Sequence, residues 1–290
     1  MTDLGTTESA EPVPAAAAQR RPTNTRPATE FDRRPTFAAR NRTLLLGLLG
    51  GFIVLAAWQA FAWLGLVDPR FSSSPVGAVT SLGYLADNGS LWGPTLSTLQ
   101  SVALGMVISI AIAVPVGLVI GRSVVLHGLS EPLISILYSV PFVVFLPIII
   151  FWFGIDNTAR LVIVVWAAVF PLLINIVAGA RNLDANYMQV SRVFCSSRLK
   201  TLWSVSLPGT MPYILAGIRQ AVGRSLVGAI VAELFMGTEG LGYVVQTETS
   251  NFQMDHAMAA IAVIAVIAVV LNRGVAWLES RLTFWSGSVE

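Results

Sequence analysis

The sequence predicts an all-α integral membrane protein with six transmembrane helices. Of its 290 residues, 54% are hydrophobic and only 12% are charged, and its mean hydropathy is +0.71. Soluble domains contain about 25% charged residues. The apolar residues also form long runs without charge, close to the ~20 residues that an α-helix needs to cross a bilayer. The composition therefore excludes an ordinary water-soluble domain.

The same composition excludes several classes of function. A formal net charge of +2 gives no reason to expect a nucleic-acid partner. The chain has one cysteine, Cys195, and two histidines, His127 and His256, which lie far apart in the sequence. These residues do not form the clusters that bind zinc, so we expect neither a metal site nor a cofactor on this chain.

Residues 1–43 are rich in Pro, Ala, Thr and Arg and have few large apolar side chains. Such a segment buries too little apolar surface to offset the entropy lost on ordering, so it is predicted to be a disordered cytosolic tail. The uncharged and mostly apolar run that follows it, residues 44–67, is too long for the core of a cleaved signal peptide and is long enough to cross a membrane. Residues 44–285 are therefore predicted to form one membrane domain.

This domain contains six predicted spans. They cover about 44–67, 95–121, 132–155, 161–180, 212–236 and 257–278. Prolines 115, 141, 147 and 171 fall inside them, and membrane helices tolerate proline when neighbouring groups satisfy the freed carbonyls. Kinked helices are expected.

The distribution of arginine predicts the orientation. With the N-terminus inside the cell, most basic residues fall in cytosolic segments. The outer segments hold Arg70 and, at the membrane edge, Arg160, and the external segment 237–256 has acidic residues and no basic one. Basic residues concentrate on the cytosolic side of membrane proteins. We therefore expect both termini to be cytosolic.

The segment 181–211 is the one long cytosolic connection, and its pattern is not that of a disordered loop. Tyr187, Val190, Ser191 and Phe194 recur at the spacing of one helix face. Ser196 or Ser197 is placed to cap a second short helix, which Pro208 is predicted to end. From periodicity alone, two interpretations remain open: helices lying in the lipid headgroup layer, or a docking element for a soluble partner.

A motif in this segment favours docking. Gln189-Val190-Ser191, three residues, Cys195, nine residues and Val205-Ser206-Leu207-Pro208 resemble the Glu-Ala-Ala, x3, Gly, x9, Ile-x-Leu-Pro signature of bacterial ABC-importer permeases. The stretch from Pro212 through Tyr243 is similar to the nitrate, sulfonate and taurine branch of that family. So are Phe71-Ser72-Ser73-Ser74-Pro75 and Trp152-Phe153-Gly154-Ile155. The resemblance covers roughly residues 44–285.

The resemblance implies a type I ABC-importer fold in the bacterial inner membrane, with a cytosolic coupling helix in the segment 181–211. It also implies a separate ATPase subunit that binds ATP-Mg, an extracytoplasmic solute-binding protein, and a homodimer of the permease within membrane lipid. This chain has no Walker A lysine, since its one lysine, Lys200, follows Leu199. The implied ATPase-docking residues are Tyr187, Gln189, Val190, Ser191, Arg192, Phe194, Cys195, Ser196, Leu199 and Pro208.

The predicted fifth span is the candidate wall of the solute path. Gly217, Ala221, Ser225 and Ala229 recur every four residues and form a flat stripe for close helix packing. Arg224 lies near mid-membrane, and an arginine there is a candidate functional residue. Glu233 lies ~13 Å further along the helix, so the two cannot pair directly. The predicted path residues are Arg224, Ser225, Gly228 and Glu233.

Each of these assignments has an alternative. Arg224 either attracts an anionic or polar solute or forms a structural pair with a neighbouring helix, and Glu233 is either a hydrogen-bond partner or a proton relay. Gly240, Gly242 and Tyr243 belong either to a plain turn or to an outer gate or receptor contact.

The leading functional prediction is a permease subunit, not itself an enzyme, that forms the translocation path for a small anionic or polar solute such as nitrate, a sulfonate or taurine. The rival is a channel or ion-coupled carrier that needs no ATPase. A membrane-embedded enzyme is disfavoured because the spans contain neither paired carboxylates nor a Ser/His/Asp set.

Overall fold

The computed structural model describes residues 42–65, 68, 70–183, 197–237 and 239–282. In these ranges the chain forms helices and turns and contains no strand. It divides into two units, residues 1–52 and 53–290. The helices are α1 (Arg42–Trp63), α2 (Pro75–Asp87), α3 (Trp92–Arg122), α4 (Val124–Ser139), α5 (Leu146–Phe153), α6 (Asn157–Arg181), α7 (Arg198–Thr201), α8 (Leu207–Met236), α9 (Leu241–Ser250) and α10 (Met254–Leu282).

Five of the described segments are long and apolar enough to cross a membrane: Leu45–Trp63, Trp92–Arg122, Asn157–Arg181, Leu202–Met236 and Met254–Leu282. A sixth crossing arises if α4 and the segment Phe142–Phe153 are counted together as one broken span. Several helices are longer than the predicted spans. α3 begins at Trp92 instead of residue 95, and the fifth span begins well before residue 212.

The predicted third span, 132–155, is not one helix. α4 begins at Val124 and ends at Ser139, and after a short 3₁₀ turn (Phe142–Phe145) the chain continues into α5 with an overall bend of 88°. Val140 is extended, with ψ of 126°, because the ring of Pro141 excludes the helical region for the residue before it. Pro141 also removes a backbone donor, so the break falls at this dipeptide.

Proline does not break the other spans. Pro115 lies inside α3 and Pro171 inside α6, and both helices continue past the ring. Pro147 lies in the first turn of α5, where a backbone N–H has no intrahelical partner in any case. Of the four prolines expected to kink the spans, only Pro141 coincides with a break in a helix.

The prediction that Pro208 ends a short helix was wrong. Ser197 caps the start of α7 by accepting a hydrogen bond from the Lys200 amide at 3.3 Å. The chain then passes through a π-helical turn, Leu202–Ser206, directly into α8, with Pro208 in its first turn. The wider turn, in which the Leu207 amide donates to the Leu202 carbonyl, makes room for the proline ring. The part of 181–211 that follows residue 197 is thus an extension of the fifth span.

α6 is the centre of the packed core, with α3 on one side and α8 on the other. Small residues allow these helices to approach closely. A Cβ on Gly117 of α3 would lie 2.7 Å from the side chain of Ile176, and one on Gly228 of α8 would lie 2.9 Å from Ala167. This packing agrees with the predicted stripe on the fifth span, since Gly217 of that stripe also meets α6, at Leu172 and Asn175.

α2 joins the bundle through α10. Ser74 caps α2 by accepting from the Gly77 amide at 2.9 Å, and Pro75 occupies its first turn. The Ser73 hydroxyl donates to Asp255 of α10 at 2.6 Å. Gly77 has no room for a side chain because the Asp255 carboxyl group lies against it. The Phe71-Ser72-Ser73-Ser74-Pro75 sequence therefore ties the start of α2 to the start of α10.

Candidate functional site

A buried carboxyl group lies near the Met236 end of α8. The side chain of Glu233 is fully shielded from solvent, with an exposed fraction of 0%. The Gly242 amide donates to its Oε2 at 2.9 Å, and the Thr98 hydroxyl lies 2.9 Å from Oε1 and 3.0 Å from Oε2. Thr98 in turn accepts from the Leu241 amide at 3.0 Å. These contacts tie α3, α8 and α9 together at one point.

A fourth helix, α6, joins this group through Arg160 in its first turn. Its Nη1 lies 3.6 Å from Glu233 Oε1, so the two form an ion pair away from solvent. The guanidinium also donates to Ser97 Oγ at 3.0 Å and to Asn157 Oδ1 at 2.6 Å. A buried charge is tolerated only when paired and hydrogen-bonded, and both conditions hold here. We call Glu233, Thr98, Arg160 and the backbone of Leu241 and Gly242 the Glu233 cluster.

The glycines before and within α9 allow this cluster to form. Gly240 has φ of 103°, which side-chain-bearing residues rarely adopt, and a Cβ there would overlap the Glu233 carboxyl group. A Cβ on Gly242 would lie 2.6 Å from the Ile230 carbonyl oxygen. The turn therefore requires glycine at both positions to bring the amides of α9 onto the carboxyl group. Tyr243, the next residue, is half-buried.

Arg224 has very different surroundings. It is exposed, and it borders a cleft of about 330 Å³ at the break in the third span. Its Nη2 donates to the Tyr138 hydroxyl at 2.9 Å, and its Cζ lies 4.6 Å from the centroid of the Tyr138 ring. Among the described residues, no carboxylate forms an ion pair with it. We call this space the Arg224 cleft; it is lined by residues 137–143, Trp166, Ala167, Phe170 and Arg224.

Arg219, near Arg224 on α8, is a useful contrast. Its guanidinium forms an ion pair with Glu279 of α10. It is also half-exposed and does not line the Arg224 cleft. The two arginines of this helix therefore differ in that one is neutralised by a carboxylate and the other is not.

The structure does not bring the four predicted path residues together. Ser225 is fully buried, with its hydroxyl donating to the Val222 carbonyl of its own helix at 2.8 Å, and Gly228 is buried against α6. Glu233 belongs to its own cluster, and only Arg224 borders the cleft. The positions of Arg224 and Glu233 agree with the prediction that the two residues do not pair with each other. Their role in transport stays a prediction.

Most predicted docking residues lie outside the described part of the chain. These are Tyr187, Gln189, Val190, Ser191, Arg192, Phe194, Cys195 and Ser196. Leu199 lies within α7, and Pro208 is exposed in the first turn of α8. The docking assignment for the segment therefore stays a prediction as well.

Sequence reasoning missed Arg160, Thr98 and Tyr138. Its position in the sequence predicts Arg160 at the membrane edge, and the structure adds that its side chain is buried, with an exposed fraction of 6%. Its position in the first turn of a long apolar helix was a signal, because a charge there needs a partner once the helix packs. Thr98 and Tyr138 gave no comparable signal, since single hydroxyls are common in membrane helices.

The described part of the chain is a bundle of helices long and apolar enough to cross a membrane, and comparison with known proteins establishes its class. Residues 113–284 match the family described as binding-protein-dependent transport system inner membrane component. The chain belongs to this family, whose members are permease subunits of ABC uptake systems. The predicted recognition and the predicted function as a permease subunit are thereby confirmed. In this family the ATPase is a separate subunit, and a solute-binding protein is the other implied partner.

The similar proteins include several permeases. The chain is 32% identical to the taurine transport system permease protein TauC of Escherichia coli K12, over 87% of this chain and 93% of that protein. It is 30% identical to the putative aliphatic sulfonates transport permease protein SsuC of Bacillus subtilis 168, over 84% and 88%. It is 27% identical to the nitrate import permease protein NrtB of Leptolyngbya laminosa, over 80% and 85%.

A solved structure supports the fold. The inward-facing MetNI methionine ABC transporter matches with a TM-score of 0.59 over 65% of this chain and 94% of that chain, at 14% sequence identity. At this identity the match concerns the fold alone. The prediction of an all-α, type I ABC-importer permease fold is confirmed.

Proposed function

We propose that this chain lines the path by which a small solute with an anionic, oxygen-rich group crosses the bacterial inner membrane, and that α8 forms the wall of the path. Arg224 carries the proposal, because it is an exposed charge in the middle of a membrane-crossing helix with no described carboxylate to neutralise it. Arginine remains protonated in proteins, so this wall attracts anions.

The names of the similar proteins support an anionic solute. They refer to taurine, aliphatic sulfonates, nitrate and bicarbonate, all of which carry a negatively charged oxygen-rich group. A single guanidinium with several N–H donors suits each of these groups. In this proposal the Arg224 cleft recognises the anionic group that these solutes share.

The test uses the complete complex of permease, ATPase and binding protein in proteoliposomes. We expect ATP-dependent uptake of taurine, an alkanesulfonate, nitrate or bicarbonate, and a loss of about tenfold or more in Arg224→Gln, since the charged contact to the solute is removed. Arg219→Gln is the matched control on the same helix. Unchanged uptake by an assembled Arg224→Gln complex would remove α8 as the wall of the path.

We further propose that the segment 181–211 docks on the ATPase and that both chain termini are cytosolic. The spacing of the motif around Gln189-Val190-Ser191 and Cys195 supports this, although both sites differ in residue type from the family signature. Cysteine placed at Ser191 or Ser196, in a chain with Cys195→Ser, should crosslink to the ATPase. A cysteine at Gln246, exposed on α9, is the control and should not. Crosslinks to phospholipid alone would contradict docking.

We also propose that two copies of the chain form the membrane path. Six spans are half of the twelve helices usual in this family, and an exposed cleft in the middle of a membrane helix suits a path shared between two copies. The native mass of the purified complex tests this proposal. A homodimer gives a complex that contains two copies of this chain, whereas a heterodimer gives a complex that contains one copy and a second permease of different mass.

The start of α9 is proposed as an outer gate or receptor contact, with Gly240, Gly242 and Tyr243 as its residues. The hydrogen bonds from the Leu241 and Gly242 amides to Thr98 and Glu233 hold this start of the helix in place. The proposed orientation of the chain puts it on the external side. Crosslinking from a cysteine at Gln246 to the binding protein tests the contact. A crosslinked product of the permease and the binding protein would support the contact. Failure to form this product when the binding protein is present would contradict it.

A further inference from the structure

The Arg224 cleft exists because the third span is broken. α4 stops at Ser139, and the chain turns away by 88° before it continues to α5. Residues 137–143 form one side of the resulting space, and α6 and α8 form the others. Its volume of about 330 Å³ lies at the small end of ligand pockets in proteins, so it has room for one small molecule.

Arg224 and Tyr138 supply hydrogen-bond donors to the cleft. Arg224 has five N–H donors, and within the described chain it uses one of them for Tyr138. The Tyr138 hydroxyl accepts that bond, and its own O–H remains available to donate. No described aspartate or glutamate lines the cleft. A group seated here therefore meets a positive charge and several donors, which suits an anion with more than one oxygen.

The remaining walls are largely apolar, and three of their residues are aromatic. Trp166 and Phe170 lie one helix turn apart on α6, with ring centroids 5.5 Å apart, and Phe142 follows the break in the third span. Trp166 also packs against Phe145, at 5.0 Å between centroids. Its Nε1 is shielded from solvent and finds no acceptor among the described residues. The rings therefore present apolar surface beside the donors of Arg224 and Tyr138.

We propose that the Arg224 cleft binds the solute in transit and selects an organic anion with a short apolar stem, whose anionic group lies at Arg224 and Tyr138 and whose stem packs against Phe170 and Phe142. This inference rests on the proposed function and adds a substrate class to it. An inorganic anion such as nitrate satisfies the donors but leaves the aromatic walls unused. Each methylene that leaves water for such walls strengthens binding, so affinity should rise with stem length.

The test measures binding to the purified complex of permease and ATPase without the solute-binding protein, whose own specificity would mask the cleft. Methanesulfonate, butanesulfonate and nitrate are titrated by calorimetry. We expect butanesulfonate to bind roughly tenfold more tightly than methanesulfonate, because its longer stem reaches the rings. Equal affinity for the two sulfonates, or no measurable binding of butanesulfonate, overturns the inference.

Variants separate the two halves of the cleft. Arg224→Gln should weaken both sulfonates by about tenfold, since the charge-assisted bonds are lost. Phe170→Leu and Phe170→Ala should reduce the preference for the longer stem and leave methanesulfonate within about twofold of wild type. Phe170→Leu keeps most of the packing volume, so it answers the question if Phe170→Ala does not fold. Arg219→Gln should bind like wild type, and an equal loss in this control overturns the inference.

Three further outcomes are distinguishable. If the wild-type complex with its binding protein takes up no anion, the proposed function fails. If uptake occurs and depends on Arg224 while stem length has no effect at the cleft, only the present inference fails. A native mass showing that Arg224→Gln separates the complex into single permease copies would instead identify the cleft as an interface between copies, which also overturns the inference.

Discussion

The two charged groups of α8 that sequence analysis singled out have opposite surroundings. Glu233 is fully buried and has partners from α3, α6 and α9. Arg224, ~13 Å away along the helix axis, borders an open cleft and has one described partner, the Tyr138 hydroxyl. The Glu233 carboxyl group has hydrogen-bond and ion-pair partners on three neighbouring helices, whereas Arg224 keeps N–H donors that no described residue accepts.

This difference separates a structural charge from an available one. Removing a charge from water costs several kcal/mol unless other groups replace its hydration, and the Glu233 cluster supplies that replacement. The cluster therefore stabilises the junction of four helices. Arg224 keeps its binding capacity because the broken third span leaves space in front of it. Stability should thus depend on Glu233 and transport on Arg224.

Glu233→Ala should have the largest effect on stability. It leaves the buried guanidinium of Arg160 without its carboxyl partner, and breaking a buried pair in this way costs about 3–5 kcal/mol. We expect a markedly lower thermal midpoint and lower yield of the purified complex. Glu239→Ala is the control, since Glu239 is exposed and should contribute less than about 1 kcal/mol. Equal midpoints for the two variants would remove the structural role of the cluster.

Thr98→Val should have an intermediate effect. The change keeps the shape of the side chain but removes the hydroxyl that bonds to Glu233 and accepts from the Leu241 amide. A buried amide left without an acceptor costs about 1–3 kcal/mol, and the start of α9 should exchange its amide hydrogens faster.

The control for Thr98→Val is the same substitution at Thr80. That residue is exposed on α2 and bonds only to carbonyls of its own helix, so the change should stay within about 0.5 kcal/mol. A Thr98→Val complex with wild-type melting and exchange would show that the hydroxyl does not hold α9 in place.

Arg224→Gln should have the smallest effect on stability. The variant loses one exposed hydrogen bond and a contact with the Tyr138 ring, together worth less than about 1 kcal/mol. Its thermal midpoint should therefore stay close to that of wild type while uptake falls. If the variant is as unstable as Glu233→Ala, Arg224 is a structural residue and the contrast between the two sites disappears.

Sequence analysis anticipated several of these features from local pattern alone. The stripe that contains Gly217 predicted close packing of the fifth span, and α6 packs there. The helical rise separated Arg224 from Glu233 and indicated that each has partners elsewhere. The position of the break was not predicted, because proline 115, 141 and 171 look alike in an apolar run and only Pro141 ends its helix.

The partners themselves were beyond local pattern. Thr98 and Glu233 are separated by 135 residues in the chain, and Tyr138 and Arg224 by 86. Periodicity reports which face of a helix is apolar, but it does not report which helix packs against that face. Local pattern therefore placed Arg160 near the end of its span but did not reveal its buried pair with Glu233.

Composition and spacing determined that this chain is helical and membrane-embedded, because bilayer thickness and helical period act on each segment independently. The resemblance of its motifs to those of ABC-importer permeases indicated its class. The packing of α3, α6 and α8 decided which charge is satisfied and which stays open. That outcome depends on where distant side chains meet and where one proline interrupts a span, and free energies of burial are set by those neighbours and not by the residue itself.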